Sequence, residues 1–209
     1  DAGGLWEGHN VQDVASPEGW RRNRELVLDF YNQRRRQLMD VQPNAAHEAL
    51  VELEAHYDVT IITQNVDDLH ERAGSSNIIH LHGELVKVRS SVDPSLVYEW
   101  REDVQVGDKC EKGSQLRPHI VWFGEMVPML EVAAYATADA DIAMIIGTSM
   151  QVYPAAGLIG YAPLGTPVVY VDPNPSINHE LSGNGNLQVI AERATVGVRQ
   201  VVDALLSMV

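Results

Sequence analysis

The sequence has 209 residues, with 15 Lys and Arg against 29 Asp and Glu, so its formal net charge is −14. Such an acidic chain is poorly suited to nucleic acid, because binding phosphates requires a surplus of Lys and Arg. Apolar residues make up 45% of the chain, yet no apolar run approaches the roughly 18 residues that span a bilayer. We therefore expect a soluble globular protein of one or two domains, with no nucleic-acid or membrane partner.

The only cysteine is Cys110. One thiol forms no internal disulfide and is far short of the about four ligands of a cysteine-based zinc site, so we expect no zinc and a reducing, cytoplasmic setting. The chain opens at Asp1, without a methionine or an apolar signal segment. We expect residues to precede it in the native gene product.

Two helices are predicted in the first quarter of the chain. The first spans 23–38, with Asn23 as N-cap. The helical spacing of its apolar residues places an arginine, Arg34, on the apolar face. That face combines side chains at helical spacing, namely Val27, Phe30, Tyr31, Arg34 and Leu38. The second helix opens at Pro43 and ends near His56.

Three short β-branched strands follow, at 58–62, 142–146 and 168–171, and each leads directly into small or polar residues. In an open α/β sheet such residues lie at the carboxyl ends of the strands, where ligands bind. The residues concerned are Gln64, Asn65 and Asp67 after the first strand, Gly147, Thr148 and Ser149 after the second, and Asp172, Pro173 and Asn174 after the third. Each group is also compatible with an ordinary turn or helix cap. A last amphipathic helix covers 198–209.

Residues 77–84 read as a strand with His80 and His82 on one face. The pair could bind a metal, form ordinary hydrogen bonds, or include a general base, since an imidazole titrates near neutrality. Residues 86–118 are rich in turn formers and read as a small inserted segment, which we expect to pack through Val97, Tyr98 and Trp100.

Read in order, the motifs GLWEGHNVQDVASPEGW, TQNVDDLHERAG, HLHGE, RPHIVWFGE and IIGTSMQVYPAAG resemble the sirtuins, NAD-dependent protein-lysine deacylases. The segment FYNQRRRQL also carries a Tyr-x-x-Arg pair, Tyr31 and Arg34, as in bacterial deacylases related to the mitochondrial desuccinylase. The resemblance implies an α/β fold: a Rossmann-like parallel sheet with helices on both faces and a small inserted domain. The Rossmann-like parts would be 44–85 and 119–209, and the small domain 8–43 and 86–118.

The resemblance also implies roles for individual residues. His82 would be the general base, assisted by Asn65. Tyr31 and Arg34 would recognise the acyl group, and could pair with the carboxylate of a succinyl- or malonyl-lysine. Alternatively, Arg34 only covers apolar surface. NAD would contact Gly4, Leu5, Trp6, Gln64, Asn65, Val66, Asp67, Gly147, Thr148, Ser149, Asp172, Pro173, Asn174 and Ala194. The substrate peptide would add as a strand beside Val121, Trp122, Phe123, Gly124 and Glu125.

The implied reaction transfers an acyl group from a protein lysine to ADP-ribose, with release of nicotinamide and no catalytic metal. Two departures from the family pattern bear on it. The glycine-rich motif that would precede the cofactor-loop remnant 1–7 is absent, so we expect this chain to be a fragment that binds NAD weakly. Ser90 stands where relatives carry a zinc cysteine. The alternatives are a catalytically inactive module that binds acyl-lysine or peptide, and a protein ADP-ribosyltransferase. The sequence does not specify the oligomeric state.

Overall fold

The computed structural model describes residue 6 and residues 8–209, which form two compact units. The first unit comprises 1–42, 65–68 and 82–127, and the second comprises 43–64, 69–81 and 128–209. Gly4, Leu5 and the rest of the predicted cofactor-loop remnant, apart from Trp6, lie outside the described residues.

The described residues of the first unit form α1 (Val11–Val14), α2 (Pro17–Arg22), α3 (Arg24–Asp40), β3 (Gly83–Ser90), β4 (Val97–Glu99) and β5 (Leu116–Ile120). The three strands form an antiparallel sheet of order β4-β3-β5. The insertion predicted as loop-rich therefore contains sheet structure, and its packing differs from the expected one. Val97 lies on the edge strand β4 and is exposed, whereas Val88, Val104, Cys110 and Leu116 are buried.

Helix α3 begins where the sequence predicts, because the Asn23 side chain accepts a hydrogen bond from the backbone N–H of Leu26 at 3.0 Å. Its buried face also includes Leu28, Asn32 and Arg35, which the predicted stripe lacks. Arg35 is only 1% exposed, while Arg34 is half-buried. The helical spacing of apolar residues does not show which of these two arginines is buried, because their burial depends on what packs against the helix.

The second unit holds the parallel strands. Its elements are α4 (Ala45–Leu53), β1 (Ile61–Thr63), α5 (Leu69–Ala73), β2 (Ile78–His80), α6 (Leu130–Ala138), β6 (Ala143–Ile146), a 3₁₀ helix (Ala155–Tyr161), β7 (Val168–Val171), β8 (Leu187–Ile190) and α7 (Ala194–Leu206). Strand β1 pairs in parallel with β2, and β6, β7 and β8 form a parallel sheet in that order. The predicted α/β class with a parallel sheet is confirmed.

Both faces of β7 are covered. Val169 and Val171 pack in a cluster with α4 and α7, whereas Val168 and Tyr170 pack with Met150 and Leu181 on the other face. A strand buried on both faces explains why the sequence is apolar at every position from 168 to 171.

Two strand predictions were wrong in their extent. The first parallel strand covers only Ile61–Thr63, because pairing with β2 begins at Ile61 opposite Ile78. The stretch 77–84 is not one strand: β2 ends at His80, and β3 starts at Gly83 in a different sheet. No helix among the described residues is long and apolar enough to cross a membrane.

Candidate active site

His82 lies in the two-residue link between β2 and β3, and its side chain is partly buried. Its carbonyl accepts a hydrogen bond from the Val121 N–H at 2.9 Å. The next residue, Gly83, has φ +87°, and a Cβ there would lie 2.0 Å from the carbonyl oxygen of His119. Only glycine fits this crossing of β3 and β5, so the backbone after His82 is fixed by close packing.

The predicted cofactor residues Asn65 and Asp67 belong to the same unit as His82. The segment that carries them is anchored at Val66, which is buried and whose carbonyl accepts a hydrogen bond from the Leu85 N–H at 2.7 Å. Asn65 is exposed and Asp67 partly exposed. Asp68, the next carboxylate of this motif, is buried and forms an ion pair with Arg101 at 3.1 Å.

Arg35 is a residue that sequence reasoning missed. Its guanidinium donates from Nε to the Leu85 carbonyl at 3.0 Å and from Nη1 to Asn32 Oδ1 at 2.8 Å and the Glu102 carbonyl at 3.2 Å. Burial lowers the pKa of Arg35 to about 10, a value at which the group is still charged at neutral pH. Leu85 thus links α3 to the Val66 segment through its two backbone groups.

Tyr31 and Arg34 meet at the ring of Phe30. The Tyr31 ring contacts it edge-on at a centroid distance of 4.9 Å, and the Arg34 guanidinium carbon lies 4.5 Å from its centroid. Tyr31 is completely buried, and its oxygen accepts a hydrogen bond from Trp122 Nε1 at 3.1 Å. Burial raises the pKa of Tyr31 well above its usual value, so the phenol keeps its proton. The more accessible member of the predicted pair is Arg34.

Trp6 and Phe123 complete this aromatic cluster. The Trp6 ring stacks on Phe30 at a centroid distance of 5.9 Å and lies 6.2 Å from the Phe123 ring. Trp6, from the predicted cofactor loop, therefore packs beside the predicted acyl-recognition residues.

The predicted peptide-binding segment 121–125 is a turn after β5 rather than a strand. Its backbone N–H groups already donate within the unit, from Val121 to His82, from Trp122 to the Glu125 carboxylate, and from Phe123 to Ala15. A peptide added here would have to use other backbone groups, which include those of Gly124, a residue in the left-handed region with φ +88°.

Glu125 fixes this turn. Its carboxylate accepts from Arg117 at 2.7 and 3.1 Å and from the Trp122 N–H at 2.8 Å. Burial raises the pKa of Glu125, but the hydrogen bonds and positive charge of Arg117 outweigh it, so the net pKa is lowered. Arg117 in turn lies over the Trp122 ring at 3.5 Å, which ties the turn to the aromatic cluster.

In the second unit, the residues that follow β1 and β6 meet, although the two strands belong to different sheets. Gln64 Nε2 lies 3.4 Å from Thr148 Oγ1. The Thr148 carbonyl accepts from the Tyr170 hydroxyl at 2.7 Å, and that hydroxyl accepts from the Ser176 N–H at 3.1 Å. Tyr170 therefore joins the loop after β6 to the loop after β7.

The loop after β7 is held by its own first residue. The Asp172 side chain accepts from the Asn174 N–H at 2.7 Å, and Pro173 and Asn174 are exposed. Ala194 is the first residue of α7, and the residue before it provides no side-chain cap. Oxygen acceptors, hydroxyls and uncapped N–H groups thus gather at the carboxyl edge of the sheet.

These groups suit a dinucleotide. Gly147 and Ser149 are exposed, and no heavy atom lies within 4 Å of the position where a Cβ on Gly147 would stand. The backbone N–H groups of an accessible glycine and of a helix N-terminus can donate hydrogen bonds to phosphates. Amide and carboxylate groups can bind ribose hydroxyls. The residues that the resemblance assigns to NAD are compatible with it in chemical type.

The insertion carries hydrogen bonds where the resemblance places zinc in relatives. Cys110 Sγ lies 3.3 Å from Ser90 Oγ, and Ser90 Oγ accepts from the Asp93 N–H at 3.1 Å. Lys112 pairs with Asp93 at 2.5 Å. The Ser90 hydrogen bond lowers the pKa of the Cys110 thiol.

The parallel strands, their polar carboxyl edge and the small antiparallel sheet define an α/β protein of the Rossmann-like class. The protein-family model for the Sir2 family matches residues 1–154 of the chain. The chain is 55% identical over 208 residues to an NAD-dependent protein deacylase of Helicobacter pylori, covering 100% of this chain and 90% of that protein. A Bacteroides thetaiotaomicron protein of the same name is 51% identical over 212 residues, covering 99% of this chain and 89% of that protein.

Solved structures agree. A mutant Sir2 homologue in complex with ADP-ribose superimposes with a TM-score of 0.89 and 33% identity, covering 100% of this chain and 84% of that one. A Sir2 bound to an acetylated peptide superimposes with a TM-score of 0.79 and 27% identity, over 92% of this chain and 83% of that one. The chain belongs to the Sir2 family, as its motifs predicted.

Proposed function

We propose that this protein is an NAD-dependent protein-lysine deacylase. The observation that carries the proposal is the 55% identity, over the whole chain, to a relative named for that activity. The polar edge with Gln64 and Thr148 and the anchored Asn65 segment support it, because they offer the group types that NAD requires.

When bound, NAD supplies the ribose carbon that accepts the acyl oxygen, and nicotinamide is the leaving group. His82 would take a proton from the ribose hydroxyl that then receives the acyl group. The tight crossing at Gly83 supports this role, since it holds the backbone of His82 in one position. Asn65, Asp67 and Gln64 would orient the ribose and carboxamide, and Gly147, Thr148, Ser149, Asp172 and Asn174 the remaining parts of the cofactor.

The test is nicotinamide release from NAD with and without an acetyl-lysine peptide. We expect release to depend on the peptide. The variant His82→Gln should lose formation of the deacetylated peptide by about a hundredfold or more, because His82 acts after nicotinamide has left. The control is His56→Gln, which alters an exposed histidine outside the proposed site. Transfer of label from NAD to protein would instead identify an ADP-ribosyltransferase, and peptide binding without NAD turnover would identify a silent binding module.

We further propose that the enzyme accepts succinyl- and malonyl-lysine. The half-buried Arg34, whose guanidinium lies over the ring of Phe30, supports this, because a guanidinium can form charge-assisted hydrogen bonds with an acyl carboxylate. Arg34→Met should lower kcat/KM for a succinyl-lysine peptide by about ten- to a hundredfold and leave the acetyl-lysine value nearly unchanged. Arg36→Met, which removes an exposed arginine one position beyond Arg35, is the matched control. An equal loss for both peptides would contradict carboxylate pairing.

We also propose that the insertion folds without zinc. The hydrogen bonds among Ser90, Asp93 and Cys110 and the ion pair with Lys112 support this, because they connect the two sides of the loop. Treatment with EDTA should leave the unfolding temperature unchanged, and stoichiometric zinc in the purified protein would contradict the proposal. The cytoplasmic setting stays a prediction, which cell fractionation would test.

A further inference from the structure

Arg117, on β5 of the first unit, is a buried cation whose hydrogen bonds all go to the end of its own strand and the turn that follows. Its guanidinium donates to the Glu125 carboxylate at 2.7 and 3.1 Å, to the Ile120 carbonyl at 2.9 Å and to the Pro118 carbonyl at 3.4 Å. The bidentate pair with Glu125 has a fixed geometry, because two parallel N–H groups meet two oxygens. Arg117 therefore connects the end of β5 to the turn 121–125.

Trp122 is held by this pair through both its backbone and its ring. Its backbone N–H donates to the Glu125 carboxylate at 2.8 Å, and the Arg117 guanidinium carbon lies 3.5 Å from the centroid of its ring. The indole Nε1 in turn donates to the Tyr31 oxygen at 3.1 Å. Trp122 thus joins the predicted peptide-binding segment to a predicted acyl-recognition residue, and Arg117 fixes its position.

Stability alone does not require this arrangement. Two arginines, Arg117 and Arg89, face the one carboxylate of Glu125, and burial together with the positive charge of Arg117 lowers the pKa of Arg89 to about 10. Replacing a buried ion pair by apolar side chains of similar volume is often neutral or stabilising. An apolar cluster, however, has no carboxylate to accept the hydrogen bond of a backbone amide, so it would not fix the turn at Trp122.

We propose that Arg117 is a positioning residue for substrate binding: it holds the turn 121–125 in the conformation that receives the peptide, without touching the substrate. This inference rests on the proposed function. When the turn is already ordered, peptide binding does not include the entropy cost of ordering that backbone, and such preorganisation raises affinity. The Gly124 N–H, which makes no hydrogen bond among the described residues, is one backbone group that this conformation leaves available.

The test compares Arg117→Met with the matched control Arg89→Met. The two arginines lie opposite each other in the pairing of β5 with β3, and their side chains are 10% and 11% exposed. Both contact Glu125, but Arg117 does so with two short hydrogen bonds and Arg89 with one contact at 3.5 Å. The two variants therefore remove equally buried cations, of which one is proposed to position the turn.

Fluorescence anisotropy gives Kd for a dye-labelled acetyl-lysine peptide, and nicotinamide release gives kcat and the KM values for peptide and NAD. Arg117→Met should raise Kd and KM for the peptide about tenfold, and should change kcat and the KM for NAD by less than about twofold. Arg89→Met should change all four values by less than about twofold. Arg117→Lys, which keeps the charge but not the two parallel hydrogen bonds, should raise the peptide Kd roughly threefold.

A double-mutant cycle tests whether Arg117 acts through Glu125. The variant Arg117→Met/Glu125→Gln should raise the peptide Kd no more than the weaker-binding single variant, because the two side chains act as one unit. Circular dichroism confirms that each variant is folded in the assay, and if Arg117→Met is not, Arg117→Lys against Arg89→Lys decides.

Three results would overturn the inference: an unchanged peptide Kd in Arg117→Met, equal rises in the Arg117 and Arg89 variants, or a loss of kcat and of NAD binding as large as the loss of peptide binding. Failure of the proposed function gives a different result. The unaltered protein would then release no nicotinamide, while anisotropy would still measure how Arg117 affects peptide binding.

Discussion

Arg35 shows how much a single buried side chain can connect. Its guanidinium donates to α3, to β3 and to the Glu102 carbonyl, and Asn32, its partner, also bonds both backbone groups of Val104 at 2.8 and 3.0 Å. Since Leu85 also holds Val66, Arg35 supports the proposed cofactor segment indirectly. It is a structural connection rather than a contact with a reactant.

Replacing Arg35 with Met should lower the free energy of unfolding by about 3 kcal/mol, because the buried carbonyl and amide acceptors lose their donor. The measurement is urea unfolding followed by circular dichroism. Arg36→Met is the matched control: its ion pair with Asp103 is largely exposed, and such pairs contribute about 0–1 kcal/mol. Equal losses in the two variants would contradict the role of Arg35.

His119 makes the stability depend on pH. Burial, with the positive charge of Arg89 as the next cause, lowers the pKa of His119 to about 4. Its Nδ1 is buried and has no hydrogen-bond partner among the described residues. The folded protein therefore holds this imidazole neutral, while the unfolded chain takes up its proton near pH 6.5.

The stability from neutral His119 is thus complete above about pH 6.5 and is lost as the pH falls toward 4, because only the unfolded state binds the proton there. We expect His119→Gln to remove up to about 3 kcal/mol of this pH dependence between pH 7 and 4. Urea unfolding at several pH values measures it. An unchanged slope, or an equal change in the exposed-site variant His56→Gln, would refute the assignment.

At the scale of elements, the crossing of β3 and β5 depends on Gly83. Gly83→Ala should destabilise the first unit by about 2 kcal/mol or more, because the new Cβ would overlap the His119 carbonyl and Gly83 has a positive φ. Gly107→Ala separates the two causes: Gly107 has φ +107° but open space around a Cβ. Thermal unfolding should show a smaller loss there. Similar losses would mean that the conformation alone, and not the close approach, requires glycine.

The helices α3 and α4 were predictable because their signals are local. Asn23 and Asn44 cap the two helices through their own side chains, and the apolar period identifies the inward face. The stretch 77–84 was not predictable as two strands. Apolar and polar residues alternate from Ile79 to His82, across the end of β2. Only the pairing of Ile78 with Ile61 and of Gly83 with Ile120 divides the stretch between two sheets.

For the whole molecule, the charge of −14 implies self-repulsion in the folded state at neutral pH. Raising NaCl from about 20 to 500 mM should therefore raise the unfolding temperature by roughly 2–4 °C, which corresponds to about 1 kcal/mol for a chain of this size. Near pH 5, close to the isoelectric point of about 4.8, the effect should vanish. A fall in the unfolding temperature with salt at pH 7 would show that attractive ion pairs outweigh the repulsion.

The sequence by itself determined the α/β class, the family and the types of the candidate site residues, because strand patterns, helix caps and ordered motifs are properties of neighbouring residues. Only the tertiary structure decided that Arg35 rather than Arg34 is the buried arginine, that residues 121–125 form a turn held by Glu125, and that Gln64 meets Thr148. These features depend on contacts between residues far apart in the chain. Burial and pairing across such distances leave no local pattern, because they are set by the surface that each element packs against.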